Sequence, residues 1–474
     1  MRGVRRSFLR RRWPGIASAI VILGATAAQA ADKATAEASI WTRDTLTGDW
    51  NGTRPTLDKN GFEFTLGYIG ETFSVLSGGI DRRTSYHGQF EFTIDANLDK
   101  LIGWKGATTH VTIYHYHNSG HNALENVGSI TDPSSIDAVP TTRLFTAWFE
   151  QSFNDRFWLR VGQIAADDEF MLSPTAAGYV KASDDDSSYG GLLNSTFGWA
   201  GILGANMLSG GPAAPLSAPG ARVKIKASQN LTLLGAVFSG DPAGPNCNDI
   251  PERCNRNGTT FSFTGGALFM GEMQYAANQA KDLPGIYKLG FWYASANFAD
   301  QHFGLSAAAS VVSLADPAAV APLNHRGNWG VYAVADQMIL RFAQESSANL
   351  FLRASASPSD RNLVSFYLDG GLGIKGALPG RPNDMITLGF AYVRIGADAA
   401  ALDRDIALLS PPYPVRDHEL VFEATYAAQI APWWIVQPDV QYIVHPGGNV
   451  PDPNNPNAVI GNAFIAGLRS TIKF

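Results

Sequence analysis

In the last thirteen residues Phe464, Ala466, Leu468, Ile472 and Phe474 share one parity, and Arg469, Thr471 and Lys473 the other. The same period runs through His87–Leu98, where Phe90, Phe92, Ile94, Ala96 and Leu98 alternate with Gln89, Glu91, Thr93, Asp95 and Asn97. It returns in Leu420, Phe422, Ala424 and Tyr426 against Glu419, Glu423 and Thr425, and in Trp434, Val436, Val440 and Tyr442 against Gln437, Asp439 and Gln441. Successive side chains of a strand point to opposite faces, so each segment predicts a strand with one apolar and one wet face. About ten residues is the length a tilted strand needs to cross a bilayer. Lipid leaves no backbone group unpaired, and strands meet that demand only by closing into a barrel. The polar faces here carry Gln, Asn, Thr and isolated charges, whereas a soluble sandwich would put Lys and Glu outward. An aromatic carboxy terminus on such a strand reads as the closing strand, with Phe474 as the signal for the barrel assembly machinery. At about 27 residues per strand and connection, the chain holds about 16 strands, an even number as single-chain bacterial barrels have.

The amino terminus predicts export. Arg2, Arg5, Arg6, Arg10, Arg11 and Arg12 form a positive block, an apolar stretch runs from Ile16 to about Ala28, and Ala28-Gln29-Ala30 offers a small-x-small cleavage site. These are the parts of a signal peptide. Residues 1–30 are therefore read as a cleaved leader and 31–474 as one transmembrane, all-β antiparallel barrel. Arg5-Arg6-Ser7-Phe8-Leu9-Arg10 also resembles a twin-arginine signal, but that route carries folded cargo, which a lipid-facing barrel cannot be. Removing six arginines and no acid takes Lys plus Arg from 36 to 30 against 42 Asp plus Glu, and the formal charge from −6 to −12. An acidic chain with no basic run after Arg12 gives nucleic acid nothing to bind.

Composition supports one large β unit. About 440 mature residues would ordinarily make two or three soluble domains, but 48 glycines, 11% aromatics and 16% charged residues fit short strands and many turns better. After Ala30 there is no uncharged apolar run of 18 residues; Ala307 to Leu323 is interrupted at Asp316-Pro317 and Pro322, so no transmembrane helix is expected. Gly120 to Pro140, Pro212 to Gly220, Gly240 to Gly258 and Pro411 to Arg416 are turn-rich, lack periodicity and are expected as external loops. Cys247 and Cys254 share one of them. In an oxidising compartment a local disulfide is favoured over a metal site, which would need further ligands nearby.

A set of ordered strings resembles the carbohydrate-selective porins of the OprB type. They are Leu46-Thr47-Gly48-Asp49-Trp50-Asn51-Gly52 with Arg54, Leu101-Ile102-Gly103-Trp104-Lys105-Gly106, Phe149-Glu150-Gln151-Ser152-Phe153, and Arg160-Val161-Gly162-Gln163 leading to Glu169-Phe170. Leu283-Pro284-Gly285-Ile286-Tyr287-Lys288-Leu289-Gly290, Asp360-Arg361-Asn362, Pro379-Gly380-Arg381-Pro382-Asn383-Asp384 and Gln437-Pro438-Asp439-Val440-Gln441-Tyr442-Ile443 before Pro446-Gly447-Gly448 continue the series. The resemblance implies a 16-stranded barrel, monomeric or homotrimeric, that lets sugars such as glucose diffuse through the outer membrane of a Gram-negative bacterium. No surface-layer-binding domain is expected before the barrel.

Sugar chemistry says which residues to examine. A pyranose offers hydroxyls to donors and acceptors and C–H faces to aromatic rings, so a selective lumen combines Arg, acids and aromatics. Parity puts Trp158 with Arg160, opposite Phe157, Leu159 and Val161, and Trp148 with Glu150, opposite Phe145 and Phe149. Glu91 and Asp95 lie on the polar side of their strand. These six are the first candidates for the constriction. Arg82, Arg83, Asp168 and Glu169 adjoin strand ends and could reach the lumen through inward-folding loops. Each has a plainer reading as a solvated lumen or turn charge. The histidines His110, His115, His117 and His121 read as interfacial or loop positions rather than a metal site, and no cofactor is expected. Asp184-Asp185-Asp186 lacks the spacing of a calcium loop, and Gly265-Gly266 has no helix after it to hold a phosphate. A barrel enzyme would need a nucleophile, base and orienting group, for which no motif is visible. Among channels, the alternative is a general or anion-preferring porin, against which the acidic balance argues.

Overall fold

The computed structural model describes residues 39–176, 191–279, 283–343 and 346–474; the expected leader and the Asp184–Asp186 run lie outside them. Among the described residues, sixteen strands form the wall. They are β1 (Phe62–Gly79), β2 (Thr84–Asn97), β3 (Ala107–Asn118), β4 (Thr141–Asn154), β5 (Phe157–Ile164), β6 (Ala218–Lys226), β7 (Leu231–Ser239) and β8 (Ala267–Ala277). The second half comprises β9 (Gly285–Ser306), β10 (Ala319–Ala343), β11 (Ser346–Ala356), β12 (Val364–Lys375), β13 (Met385–Ile395), β14 (His418–Ala431), β15 (Trp434–Val444) and β16 (Gly461–Lys473). Each pairs antiparallel with its neighbour in sequence, and β16 pairs with β1 from Gly67↔Lys473 to Gly79↔Gly461. The sheet is therefore closed, as the alternation required. Past the last strand residue, Phe474 N–H donates to Leu66 O at 2.9 Å and Arg54 Nη2 donates to Phe474 O at 2.7 Å.

The outward parity is apolar and uncovered: Phe422 is 47% and Leu468 48% exposed, with Leu352, Phe291 and Leu388 similar. In water such a belt would be costly, at about 25 cal/mol per Å² of apolar surface; in hydrocarbon it is the favoured state. Connections differ at the two ends. Those at the end holding Ile40 and Phe474 are short, such as 155–156 and 432–433, and Leu98–Ile102 makes a single helical turn after β2. There Asn97 Oδ1 accepts from the N–H groups of Asp99 and Lys100, and Gly103 closes the turn at φ 75°. At the other end lie connections 119–140, 165–217, 240–266 and 396–417. The second is far longer than its expected Pro212–Gly220 core. That expectation also ran too far, because Ala218–Gly220 already belong to β6. Cys247 and Cys254 are joined by a disulfide in the third.

Two of these connections fold into the barrel. Loop groups buried against the wall cannot reach water, so they must find partners there. Inward carboxylates supply them. Glu419 accepts from Ile130 N (2.7 Å), Thr131 N (3.0 Å) and Thr131 Oγ1 (2.8 Å). Asp336 accepts from Thr175 N at 2.9 Å, Glu272 from Met171 N at 2.7 Å, and Glu423 from Asn194 N at 3.0 Å. Arg353 serves the opposite polarity, donating to the carbonyls of Met171 (3.1 Å) and Thr196 (3.0 Å) while its Nε bonds Asp369 Oδ1 at 3.0 Å. Between β3 and β4 the register passes from Thr112↔Thr146 to Ile113↔Leu144. Phe145 is the extra residue of this bulge, and it turns inward to stack on Tyr114, 4.7 Å between centroids. Its expected place opposite Trp148 and Glu150 is thus corrected.

Arg353 and Asp369 are both fully buried. Asp369→Ala leaves the guanidinium without its counter-charge, and a loss of about 3–5 kcal/mol is expected. A lower urea midpoint of the heat-modifiable barrel on gels measures it; an unchanged midpoint would count against the pair as an anchor.

Candidate functional site

On β2 to β6, Asp95, Trp148, Glu150, Trp158, Arg160 and Lys224 stay partly open, while Arg222 is buried beside them. There the register sets a row. Glu150 faces Arg160 across β4 and β5, and Arg160 faces Arg222 across β5 and β6. Like charges directly opposite repel. Two carboxylates resolve the conflict: Glu150 Oε2 accepts from Arg160 Nε at 3.0 Å and from Arg222 Nη2 at 2.6 Å, and Glu169 Oε1 accepts from Arg222 Nη2 at 2.7 Å. Arg160 Nη1 lies 3.8 Å from Glu169. Four charges thus balance at two against two.

Trp148 extends the row. The Arg160 guanidinium lies 3.8 Å above its ring centroid, and His110 on β3, the strand on the other side, stacks 4.7 Å from it at an interplanar angle of 10°. A cation over an indole face is attracted by the ring quadrupole. His110 Nδ1 in turn bonds Asp95 Oδ1 at 2.7 Å. Room for the indole comes from Gly162, its cross-strand partner, at φ 143°; a Cβ there would stand 2.3 Å from Ala147 O and 2.6 Å from Trp148 Cα. Trp158 sits two residues towards the short-turn end, with Lys224 Nζ 5.7 Å from its centroid.

Of the residues singled out in sequence, the structure brings Asp95, Trp148, Glu150, Trp158 and Arg160 onto one continuous inner stripe, and Glu169 reaches it from the infolded loop. Glu91 shares their face but is buried, with Thr93 Oγ1 3.4 Å from its Oε1. Arg82 and Arg83 do not belong to the stripe: they occupy the turn between β1 and β2, where Arg83 lies 3.7 Å from Asp81 and is half exposed. A turn this tight cannot carry side chains to the middle of the barrel. His115 and His117 face outward among Phe90 and Tyr68. The partly open Lys224 and His110, and Arg222 buried beside the row, were missed as inner-face groups. The alternation Arg222-Val223-Lys224-Ile225 was readable, but its strand was too short to stand out beside the preceding Pro-rich segment.

The loop 119–140 carries its own electrostatics. Asp132 is buried near Glu71 and Glu252, and burial, with those two carboxylates adding, pushes it up to about 8 against the opposing hydrogen bonds of Ser134 N and Asp137. Burial raises Asp137 and Glu252 too. Glu252 still accepts from Val139 N at 2.5 Å, which holds the third long connection to the first.

A family model described as "Carbohydrate-selective porin, OprB family" matches residues 81–474. The chain belongs to this family. Porin B of Pseudomonas aeruginosa is 27% identical over 97% of the chain and 96% of that protein. The "Putative porin QuiX" of Acinetobacter baylyi is 24% identical over 92% of the chain and 94% of its own length. Among solved structures, the high-pH structure of Pseudomonas putida OprB superposes with a TM-score of 0.76 at 23% identity, covering 92% of the chain and all of the other. Family and fold place this porin in the Gram-negative outer membrane, with the short turns and Phe474 periplasmic and the long loops external. They are those of a channel rather than an enzyme.

The unfolded chain releases the Asp132 proton near 3.8, whereas the folded loop holds it to about 8. The folded state binds the extra proton between those values, so stability falls as pH rises across that window. Urea midpoints should therefore drop from about pH 5 to about pH 8.5 in the parent and drop less in Asp132→Asn, which imitates the protonated form. Equal slopes would remove Asp132 from the account.

Proposed function

We propose that carbohydrates cross this porin by passive diffusion along the stripe from Asp95 to Lys224, with the Glu150–Arg160–Arg222–Glu169 row and the flanking indoles as the selective element. The observation that carries the reading is the row's balance. Two guanidiniums balance two carboxylates, and the partly open Arg160, Glu150 and Glu169 offer both donors and acceptors at almost no net charge, which suits a neutral polyol better than an ion. A guanidinium donates a planar fork to vicinal hydroxyls, and an indole covers the apolar C–H face of the ring. The ion pairs are already hydrogen-bonded to one another, so a passing sugar exchanges bonds instead of meeting bare charge. That keeps binding weak enough for release, as conduction requires. The same balance disfavours an anion-preferring path.

Purified protein in liposomes should admit monosaccharides faster than empty liposomes in a swelling assay. Equal rates would defeat the channel reading as a whole.

Arg160→Ala removes the fork and the cover over Trp148, so single-channel conductance should rise while sugar block weakens by about tenfold, the equivalent of about 1.4 kcal/mol. Arg160→Lys should fall between, since it keeps the charge and loses the fork. Parent-like conductance and block in both variants would make Arg160 a bystander in the wall.

A further inference from the structure

At the external rim, away from the passage, Asp417, His418 and His445 bring metal-ligating atoms within 4.8 Å of one another. His418 opens β14 with the parity of Leu420 and Phe422, so it faces outward, while its neighbour Glu419 faces the lumen. His445 follows β15, two strands' ends being thus joined by the carboxylate of Asp417. His418 Nδ1 stands 3.1 Å from Asp417 Oδ2 and His445 Nδ1 3.3 Å from Asp417 Oδ1. Their side chains are 28%, 47% and 33% exposed for His418, Asp417 and His445, open to solvent from the side that also carries Tyr392 and Tyr442.

We propose that this cluster is a binding site for a divalent transition-metal cation, zinc by the chemistry of its donors, at the level of the outer-leaflet headgroups. Two imidazole nitrogens and a carboxylate are a borderline-soft donor set with one tetrahedral position left for water or an anionic oxygen. Ligands about 2.0–2.2 Å from a tetrahedral zinc lie about 3.3 Å from each other. The two short nitrogen–oxygen separations involve different oxygens of Asp417, and one ligand atom from each residue lies within 4.8 Å of the others, so a small side-chain rotation closes the set around a cation.

Asn449 Nδ2 lies 3.2 Å from His445 Nδ1 and donates to Asp417 Oδ1 at 2.8 Å, and the His418 backbone N–H donates to the same oxygen. A cation bound here therefore displaces the Asn449 amide from His445, and Asp417 Oδ2 is the carboxylate oxygen left to meet it.

The backbone is preset for this arrangement. His445 adopts φ 52° and Asn449 φ 75°, left-handed conformations that cost a side-chain-bearing residue free energy. They are held by His445 N donating to Asn462 Oδ1 at 3.0 Å, by Gly448 N donating to His445 O at 2.8 Å, and by Asp417 N donating to Gly448 O at 3.0 Å. A bound cation would thus tie connection 396–417 to connection 445–460 on the lipid side of the rim.

The test uses full-length, tag-free porin in detergent, stripped with a chelator and titrated calorimetrically with zinc chloride. About one equivalent per chain with a micromolar or tighter Kd is expected, weakened at least tenfold in His445→Ala and in Asp417→Asn, and unchanged in His121→Ala, whose imidazole lies in another loop. Each variant is first shown to give the heat-modifiable barrel band, and His418→Gln, which keeps a hydrogen-bonding side chain, gives a milder third probe with the same expected loss. A zinc anomalous-scattering peak between the three side chains is the expected crystallographic counterpart. Absence of stoichiometric binding in the parent, or binding that survives His445→Ala and Asp417→Asn unchanged, would overturn the proposal and leave the cluster as an imidazole–carboxylate hydrogen-bonded patch.

Discussion

Everything inside this barrel depends on wall carboxylates that accept hydrogen bonds from loop backbone. A chain segment laid against a sheet face must give up water at its amides, and each orphaned donor costs about 1–3 kcal/mol. Glu419, Glu423, Asp336 and Glu272 remove that cost at the points of contact by accepting from the loop N–H groups. Their own burial becomes tolerable for the same reason: a carboxylate whose lone pairs are occupied is paired, although no cation need touch it. Arg353 does the converse for carbonyls, and Asp369 compensates its charge.

With the loops fixed against that side, the open surface falls to the strands between Asp95 and Lys224. The row on it is a case of mutual dependence. Arg160 and Arg222 are tolerable as cross-strand neighbours because Glu150 bridges them, and Glu150 is tolerable in the wall because both arginines reach it. Trp148, held between Arg160 and His110, keeps its orientation because the strand beside it has no Cβ at Gly162. Rigidity here comes from neighbours on the sheet, where a strand's register leaves little freedom.

The period of two made the wall legible, because lipid on one side and water on the other impose it on each strand. It also placed Arg160, Trp158, Trp148, Glu150 and Asp95 on the inner face. What parity cannot say is how high on the barrel a residue sits or what lies over it. Glu91 has the right parity and is nonetheless buried, and Arg82 and Arg83 have suitable chemistry at the wrong height. Phe145 was misplaced because a bulge inserts one residue and reverses parity locally, with no signal in the residues themselves. The course of residues 165–176 and 191–217 and the helix Ala397–Leu409 were invisible for a different reason: they are set by partners outside the local sequence, such as Tyr367 for Thr196 and His302 for Asp405.

The carboxylate anchors and the selective row occupy different strands, although Arg143 on β4 and Gln163 on β5 also hold loop carbonyls, those of Pro215 at 3.1 Å and Gly258 at 2.8 Å. Glu169 is the one group of the row that the loop itself lends. Variation can therefore act on the two parts separately. Substitutions among a handful of residues on β2 to β6 can retune what passes without loosening the interior, while the far wall can drift as long as it goes on offering acceptors. Porin lineages sharing this plan can diverge in cargo while conserving architecture, and the coupling point at which the two histories must stay in step is Glu169.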